Sequence, residues 1–534
     1  MYYFYLHLLS WTKKTQFTKQ DTLRGSVTPE RIWWDLTYYH LDISVVPDKK
    51  FIEGKNTIYY RVLQNAKRMQ IDLQPPLQIT KITQNNKKIK FTSDGNAHYV
   101  ILEAPQKPGS INSITVYYQG QPKEAVNAPW DGGFSWKKDA NGKPFIATSC
   151  QGLGASVWWP NKDHMYDEVD SMAISVRIPK TLVNVSNGRL RKVEEHQDNT
   201  KTYHWFVSNP INNYGVNLNI GDYVSFSEKY LGEAGELDMT YFVLRDHLNK
   251  AKKQFKDAPK MMKAFEHWFG KYPFYEDSYK IVEVPYLGME HQSSVTYGNQ
   301  FKNGYLGSDL SGTGWGLKFD FIIIHESGHE WFANNITNKD IADMWIHESF
   351  TAYSESLFLD YYYGKNAAAE YVIGTRRNIR NDKPVIGVYN VNKEGSGDMY
   401  YKGANMLHTI RQIIQDDEKW RAILRGLNTD FYHQTVTTKA IETYISNKAG
   451  TNFTKVFDQY LRTTKIPVFE YKIGTNATFY RWNNVVKGFD MPLDVTVNGQ
   501  NKRLNPSRAW QTLELTTNTL NVDKNYFVTV KKLY

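Results

Sequence analysis

The strongest constraint on the fold is a change in the spacing of apolar residues along the chain. From residue 31 to about residue 228, apolar residues alternate with polar ones, as in HLDISVV and NTIYYRVL, and turn signals such as Asp131-Gly132-Gly133 separate these runs. A period of two is typical of half-buried strands. We therefore predict a large antiparallel β domain over residues 31–230.

Helical spacing replaces this alternation near residue 246 and continues to about residue 464, as in MWIHESFTAYSESLFLDYYYG and KGANMLHTIRQIIQDD. Alternation returns from Ile466 to Tyr534, as in VFEYKIG and LDVTV. A chain of 534 residues is too long for one ordinary core. The order predicts an α+β multidomain fold with a mostly helical domain over residues 231–465 and a small β domain over residues 466–534.

Composition places the chain among soluble globular proteins and narrows its partners. Hydrophobic residues make up 41% and charged residues 22% of the chain, which is ordinary for that class. The net charge is +10, but lysine and arginine are spread along the chain without a long basic run. We interpret them as a solvated surface and expect no nucleic-acid partner. The single cysteine, Cys150, excludes an intramolecular disulfide and a zinc site built on several cysteines, so we expect a small buried residue.

The first residues, MYYFYLHLLSWTKK, hold an apolar stretch of about ten residues, which is too short to span a bilayer. They lack the basic start and the small-residue cleavage site of a signal peptide. We expect residues 1–30 to be a leader or a disordered segment, and we expect no transmembrane segment in the chain.

The segment FIIIHESGHEWF contains the pattern H-E-x-x-H. Residues four apart share one face of a helix, so His325 and His329 can bind one metal ion. Glu326, beside the first ligand, can take a proton from a water molecule. The alternative is a surface helix with satisfied histidines. The apolar flanks Phe321–Ile324 and Trp331-Phe332 argue against it, because they indicate a buried helix, where unpartnered histidines and glutamates are costly.

A catalytic zinc site usually has three protein ligands and one open position. The segment MWIHESFTAYSES supplies Glu348, with 18 residues between His329 and Glu348. His347 is adjacent and can compete as the third ligand. Helix geometry does not choose between the two, because they project about 100° apart.

The two segments HESGHEWFANNIT and WIHESFTAYSES together resemble the gluzincin aminopeptidases, the family of aminopeptidase N and leukotriene hydrolase. The signature of that family is H-E-x-x-H, 18 residues and a glutamate within W-x-x-E-x-F. The resemblance implies His325, His329 and Glu348 as ligands of one Zn²⁺ per chain. It also implies a thermolysin-like catalytic domain between an N-terminal β domain and a small C-terminal β-sandwich.

A segment upstream of the metal motif, Leu287-Gly288-Met289-Glu290-His291, resembles the G-x-M-E-N segment of the family. The resemblance implies that Glu290 binds the free α-amine of the substrate. It also places Gly288 and Met289 beside the substrate.

Two further matches complete the site that the resemblance implies. The segment Tyr400-Tyr401-Lys402-Gly403 resembles Y-x-K-G, whose tyrosine donates to the oxyanion, and the register assigns Tyr400 rather than Tyr401. The segment Ser149-Cys150-Gln151, followed by Trp159-Pro160, resembles the β-domain segment that adds a second ligand for the amine. This match assigns Gln151.

Three residues depart from the pattern of the family or from the usual composition of a helix. Leu287 stands where the family has its first glycine and His291 where it has asparagine, so we expect the backbone path and hydrogen bonding beside the amine pocket to differ. Gly328 lies inside the metal-binding helix, where glycine costs about 1 kcal/mol relative to alanine. We interpret Gly328 as a site of close packing.

The resemblance implies a zinc aminopeptidase that acts on peptides with a free N-terminus, with Glu326 as general base and Tyr400 as oxyanion donor. Two alternatives use the same site, a zinc endopeptidase and an epoxide hydrolase. A third is a non-catalytic binding scaffold, which we disfavour because the ligands and the base are all present.

Two expectations concern the ends of the chain. Only a short β-rich segment follows residue 465, so we expect the large C-terminal helical domain of the family to be absent. The apolar N-terminus and the similarity to exported enzymes favour a periplasmic or secreted protein, with the cytoplasm as the alternative.

Overall fold

The structure is a computed structural model that describes residues 17–514 and 519–534. Residues 1–16 of the expected leader lie outside the described residues. Helices α1 (Lys19–Gly25) and α2 (Pro29–Ile32) follow, and Thr18 and Asp21 form a reciprocal capping box at the start of α1. The described part of the segment that we expected to be a leader or disordered is therefore helical and packs on the N-terminal domain.

The N-terminal domain consists of strands, as the alternating pattern predicts. Its strands are β1 (Trp34–Val46), β2 (Phe51–Val62), β3 (Ala66–Asp72), β4 (Gln78–Gln84), β5 (Lys87–Lys88), β6 (Lys90–Asp94), β7 (Ala97–Gln106), β8 (Ile111–Gly120), β9 (Gly133–Lys138), β10 (Pro144–Ser149), β11 (Ser171–Pro179), β12 (Val183–Val185), β13 (Arg189–Glu195), β14 (Thr200–Val207) and β15 (Asn219–Gly221). They form sheets of eight, four and three strands. The strand pairs are antiparallel except β1 with β11, which run parallel with Tyr38 opposite Ser171.

The second domain opens with a five-stranded sheet, in the order β16-β17-β18-β20-β19. Its strands are β16 (Tyr223–Gly232), β17 (Gly235–Leu244), β18 (Tyr279–Glu283), β19 (Gly288–Met289) and β20 (Val295–Tyr297). Because β16 pairs with β17 in this sheet, the domain boundary lies near residue 222 and not at the expected 230.

Helices make up most of the rest of this domain. They are α3 (Leu248–Gln254), α4 (Asp257–Phe269), α5 (Phe321–Gly328), α6 (Trp345–Tyr363), α7 (Lys365–Gly374), α8 (Tyr401–Ile414), α9 (Asp417–Asp430), α10 (Thr438–Ala449) and α11 (Thr454–Arg462). Strands β21 (Ile336–Asn338) and β22 (Gln434–Val436) form a short parallel pair between them. Helix α6 is buried from Trp345 through Leu359, so it runs through the centre of the domain. Within the described part of the chain, no helix has both the length and the apolarity that a bilayer crossing needs.

The C-terminal domain is a small β-sandwich, as expected. Its strands are β23 (Val468–Ile473), β24 (Thr478–Asn483), β25 (Leu493–Val497), β26 (Gln500–Leu504), β27 (Gln511–Leu513), β28 (Leu520–Val522) and β29 (Thr529–Leu533). The described strands form one sheet of four and one of three, and their inner faces continue the hydrophobic core of the helical domain. The fold is therefore α+β with three parts in the predicted order.

A buried ion pair fastens the N-terminal helices to the β domain. The Arg31 guanidinium is fully buried, and its Nη2 donates to Asp72 Oδ2 at 2.6 Å. Its Nη1 donates to the carbonyl oxygens of Leu23, Arg24 and Ser26 at 2.9–3.0 Å. One side chain therefore holds the end of α1 against the strand that carries Asp72.

Replacing Asp72 with asparagine should leave the Arg31 charge buried without a counterion and destabilise the protein by about 3–5 kcal/mol. The matched control is Asp42→Asn, because Asp42 and Lys55 form a half-exposed pair at 3.5 Å, which contributes at most about 1 kcal/mol. Urea unfolding followed by tryptophan fluorescence measures both variants. Equal shifts of the two unfolding midpoints would show that the buried ion pair contributes no more to stability than the half-exposed one.

Candidate active site

Helix α5 positions the first half of the site. The Asp320 carboxylate caps it by accepting from the backbone N–H groups of Ile322 and Ile323, and the residues of its first turn are buried. The helix ends at Gly328, but His329 keeps helical dihedral angles (φ −65°, ψ −17°). His325 and His329 therefore share one face as predicted, although the chain beyond them leaves the regular α-helix earlier than the apolar pattern suggested.

Helix α6 brings a carboxylate between the two imidazoles. Glu348 Oε2 lies 3.8 Å from His325 Nε2 and 3.4 Å from His329 Nε2, and all three side chains are buried. The three candidate ligand atoms lie within 4.8 Å of one another, and Glu348 Oε2 has no hydrogen-bond donor among the described residues. A buried carboxylate oxygen without a donor, facing two imidazole nitrogens, fits a bound cation, and two nitrogens with one oxygen suit zinc.

The adjacent His347 points away from this cluster. Its Nε2 accepts a hydrogen bond from the backbone N–H of Asn338 at 2.9 Å. Burial lowers the pKa of His347 to about 3, so the ring is neutral and suited to that acceptor role. The choice that helix geometry left open is therefore resolved by contacts, because Glu348 and not His347 faces His325 and His329.

Hydrogen bonds on the outer nitrogens orient both imidazoles. His325 Nδ1 bonds Glu355 Oε1 at 2.8 Å, and Glu355 Oε2 accepts from the hydroxyl of Tyr371 at 2.6 Å. His329 Nδ1 lies 3.0 Å from the carbonyl oxygen of Phe332. Such partners fix the ring orientation and leave Nε2 of each ring as the free ligand atom.

Close packing of α5 on α6 explains the glycine inside the motif. A Cβ atom on Gly328 would lie 2.7 Å from Ser354 Oγ and 3.2 Å from Thr351 Cγ2. Thr351 Oγ1 in turn lies 3.1 Å from His329 Nδ1. The small residue therefore lets α6 approach closely enough for Glu348 to reach the two histidines.

The predicted amine ligands lie directly beside the metal ligands. The carboxylate oxygens of Glu290 and Glu326 and a ring nitrogen of His329 lie within 4.8 Å of one another. Gln151 Nε2 donates to Glu290 Oε1 at 2.5 Å and to Glu348 Oε1 at 3.1 Å. The β domain therefore contributes a side chain to a cluster otherwise built by the helical domain.

Strand β19 carries the residues expected beside the substrate, Gly288 and Met289. It is an edge strand, paired on one side with β20. A Cβ atom on Gly288 would lie 2.7 Å from Ile322 Cγ2 and 3.2 Å from Glu326 Cγ, so only glycine lets this strand lie so close to α5. Met289 is buried and packs into the core of the N-terminal domain.

The two departures from the family segment flank this strand. The Leu287 carbonyl accepts from the backbone N–H of Gly298 at 2.7 Å. His291 is buried, its Nδ1 lies 3.2 Å from Thr296 Oγ1, and burial lowers its pKa to about 3. His291 is therefore a neutral ring that braces the loop after Glu290.

Tyr400 precedes helix α8 and lies against the first ligand. Its ring centroid is 6.0 Å from that of His325, with 28° between the ring planes. Tyr401 is the first residue of α8, and its ring lies 6.4 Å from that of Tyr400. The placement agrees with the register that assigned Tyr400.

Burial and clustered carboxylates control protonation in the site. Burial raises the pKa of Glu326 to about 7, against the opposing charge of His325. Burial also raises the pKa of Tyr400 well above its ordinary value, and the charges of Glu348 and Glu290 add to this effect. The hydroxyl of Tyr400 therefore stays protonated and can donate a hydrogen bond.

Comparison with known proteins identifies the family of the chain. The model of the Peptidase family M1 domain matches residues 253–460, and that of the Peptidase M1 N-terminal domain matches residues 36–214. The chain belongs to peptidase family M1. The first match spans the residues from Glu290 to Tyr400, and the second spans Gln151, so both halves of the cluster lie within M1 domains.

Relatives of this M1 chain include a probable aminopeptidase 2 of Sulfurisphaera tokodaii, 22% identical over 79% of the chain and 48% of that protein. Leukotriene A-4 hydrolase of Xenopus laevis is 23% identical over 77% of the chain and 68% of that protein. The chain spans about half the length of the archaeal relatives that it matches, because the matched part covers 48% of one and 42% of another. A solved M1 zinc metallopeptidase mutant of Deinococcus radiodurans, bound to a Tyr-Ser-Ala substrate, shares the fold, with a TM-score of 0.68 and 18% identity over 82% of this chain and 96% of that one.

Several residues of the M1 site were not assigned from the sequence. Thr351 and Glu355 follow Glu348 at three and seven residues, the spacing of one helix face, so helical geometry alone could have placed both near the ligands. Tyr371 lies on α7, and no sequence motif around it predicts its hydrogen bond to Glu355. Cys150 is buried as expected, and its Sγ donates to the Tyr214 carbonyl at 3.5 Å.

Replacing Glu355 with glutamine should weaken zinc binding about 10–100-fold, because the outer carboxylate that orients His325 is lost. Competition with a chromogenic chelator measures the dissociation constant. The control is Glu370→Gln on α7, an exposed glutamate that accepts from Trp315 Nε1. Unchanged zinc affinity in the Glu355 variant would contradict the orienting role.

Proposed function

We propose that this chain is a zinc aminopeptidase that removes the N-terminal residue from peptides. One observation carries the proposal: Gln151 bonds both Glu290 and Glu348, so the predicted amine ligands and the metal ligands form one buried cluster. A pocket for an ammonium group directly beside the metal allows cleavage only near the first residue. An endopeptidase needs an open cleft at that position.

Zinc held by His325, His329 and Glu348 supplies Lewis-acid activation of water and of the scissile carbonyl. Glu326 accepts the proton of the attacking water and returns it to the leaving amine. A pKa of about 7 without the metal shows how strongly burial acts on this carboxyl, and a nearby dication favours its ionised form. Helix α5 therefore positions the base, and zinc bound by its neighbours would favour its ionised form.

Tyr400 stabilises the oxygen that becomes negatively charged during attack. Its hydroxyl is held protonated by burial and by the surrounding carboxylates, so it donates at neutral pH. Glu290 accepts from the α-ammonium of the substrate, and Gln151 offers its amide oxygen to the same group. These contacts fix the first peptide bond at the metal.

Two of the comparisons support this choice of substrate. The archaeal relatives are named probable aminopeptidases, and the solved Deinococcus radiodurans mutant binds the peptide Tyr-Ser-Ala. Edge strand β19 supports it further, because a peptide can extend the sheet along its free edge. We infer one zinc ion per chain because the two groups of residues that could hold a metal among the described residues, His325/His329/Glu348 and Glu290/Glu326/His329, share His329.

The decisive assay compares a tripeptide with a free N-terminus and its N-acetylated form. The free peptide should be cleaved and the acetylated one left intact, because acetylation removes the charge that Glu290 binds. Glu326→Gln is the control enzyme, which should keep its zinc and lose nearly all turnover. Equal cleavage of both peptides would favour an endopeptidase. Near-normal turnover by Glu326→Gln would show that Glu326 is not the general base.

The adjacent tyrosines allow a matched test of the oxyanion donor. Tyr400→Phe should lower kcat by about 10²–10³ with little change in KM, because the donor acts mainly in the transition state. Tyr401→Phe removes the hydroxyl of the next residue and should leave kcat within about twofold of the parent value. Steady-state kinetics on one peptide substrate measures both, and a larger loss in Tyr401→Phe would reverse the assignment.

A further inference from the structure

A further carboxylate, that of Glu394, lies against the β-domain segment that carries Gln151. Glu394 Oε2 is 4.0 Å from the position that a Cβ atom on Gly152 would occupy. Gly152 directly follows Gln151, the predicted amine ligand, so Glu394 lies near the residue that we expect to bind the α-amine of a substrate.

Glu394 is exposed, and it also interacts electrostatically with groups of the site. Its side chain reaches solvent, yet burial by the surrounding walls raises its pKa, and the charge of Glu348 adds to the effect. In return, the charge of Glu394 contributes to the raised pKa of Tyr400, after burial and the other three carboxylates. Glu394 therefore shares an electrostatic environment with the metal ligand and with the oxyanion donor.

The backbone around Glu394 is held in place. The Asn392 N–H donates to the Asp21 carbonyl at 3.0 Å, and its Nδ2 donates to the Gly152 carbonyl at 3.3 Å. A Cβ atom on Gly395 would lie 1.8 Å from the carbonyl oxygen of Val385, so the chain is closely packed on the other side as well. The segment that carries Glu394 is therefore hydrogen-bonded to the N-terminal part of the chain and closely packed against the helical domain.

The cations near Glu394 do not neutralise it. Lys383 and Lys393 act on its pKa from a distance, and neither forms an ion pair with it in the described structure. Arg24 is engaged elsewhere, with its Nε on Asp163 Oδ2 at 3.1 Å and its Nη1 on the Gly152 carbonyl at 2.9 Å. The carboxylate therefore remains available to a cation from outside the chain.

The four carboxylates carry more negative charge than zinc and the ammonium group of a substrate would neutralise. None of Glu290, Glu326, Glu348 and Glu394 pairs with a lysine or arginine among the described residues. The two charges of zinc and the single charge of a substrate ammonium balance three carboxylates. One negative charge is left over, and in a partly desolvated cleft it favours a second positive charge on the ligand.

We propose that Glu394 determines specificity by binding the cationic side chain of a lysine or arginine at the first position of the peptide. The inference rests on the proposed aminopeptidase function and adds its substrate class. The first position is favoured over the second because Glu394 adjoins Gly152, the neighbour of the residue that holds the α-amine.

Arginine and citrulline test this proposal, because their side chains match in length and differ in charge. Coumarin amides of arginine, citrulline and leucine are compared on the parent enzyme and on Glu394→Gln. The parent should prefer arginine over citrulline by at least about tenfold in kcat/KM. Glu394→Gln should lose this preference, mainly through a higher KM for arginine, and should keep leucine turnover within about twofold.

Glu53→Gln is the matched control, because Glu53 is exposed on β2 and the substitution changes the net charge equally. It should retain the preference for arginine. Leucine turnover and zinc content report whether Glu394→Gln is folded and loaded. If Glu394→Gln lost leucine turnover with its zinc content intact, Glu394 would be a ligand of the shared α-ammonium, and the proposal would be overturned.

Other outcomes separate the inference from the function on which it rests. Equal rates for arginine and citrulline on the parent enzyme would overturn the role of Glu394 and leave the aminopeptidase assignment standing. A preference for Ala-Arg-Ala over Arg-Ala-Ala would also overturn it, because the cation would then bind at the second position. Hydrolysis of none of the amides or peptides would overturn the proposed function and the inference together.

Discussion

The site depends on one carboxylate oxygen, Glu348 Oε2, which lies between two buried imidazoles and has no hydrogen-bond donor among the described residues. Glu348 Oε2 lies within 4 Å of both His325 Nε2 and His329 Nε2, at distances of 3.8 and 3.4 Å. Although burial opposes ionisation, the two histidines hold the pKa of Glu348 below its ordinary value. An ionised carboxylate in a dry interior is costly unless a cation compensates it, and zinc bound by the two imidazoles and Glu348 would supply that charge.

The neighbouring elements serve this arrangement. Gly328 lets α6 pack on α5, and Glu355 and the Phe332 carbonyl turn the outer ring nitrogens away from the centre. Gln151 then links the β domain to the same carboxylate. Closing the cluster therefore requires the N-terminal and helical domains to meet, which explains why Met289 beside the site packs into the core of the other domain.

Much of this could be predicted from the sequence, for identifiable reasons. The change of apolar period gave the order of the three parts, because strand and helix spacing differ strongly. The i, i+4 spacing placed His325 and His329 on one face, since a single helical turn separates them. The boundary near residue 222 was missed because β16 has the same alternation as the strands of the first domain.

Other features could not be predicted because they depend on tertiary packing. Helix geometry alone left Glu348 and His347 equally eligible, and the choice of Glu348 came from the resemblance to the family. In the structure Glu348 lies beside both imidazoles, and His347 accepts from the Asn338 N–H instead. The helices within residues 17–30 were missed because short capped helices leave little periodicity. Glu394 carries no motif at all, and its significance comes from a loop that folds against Gly152.

We propose that one zinc ion binds between α5 and α6. Diffraction data collected on both sides of the zinc absorption edge test it most directly. We expect a single anomalous peak per chain, in contact with His325, His329 and Glu348. A peak between Glu290, Glu326 and His329, which also lie close enough to bind a metal, would contradict the account, as would a peak at His347 or no peak in zinc-supplemented crystals.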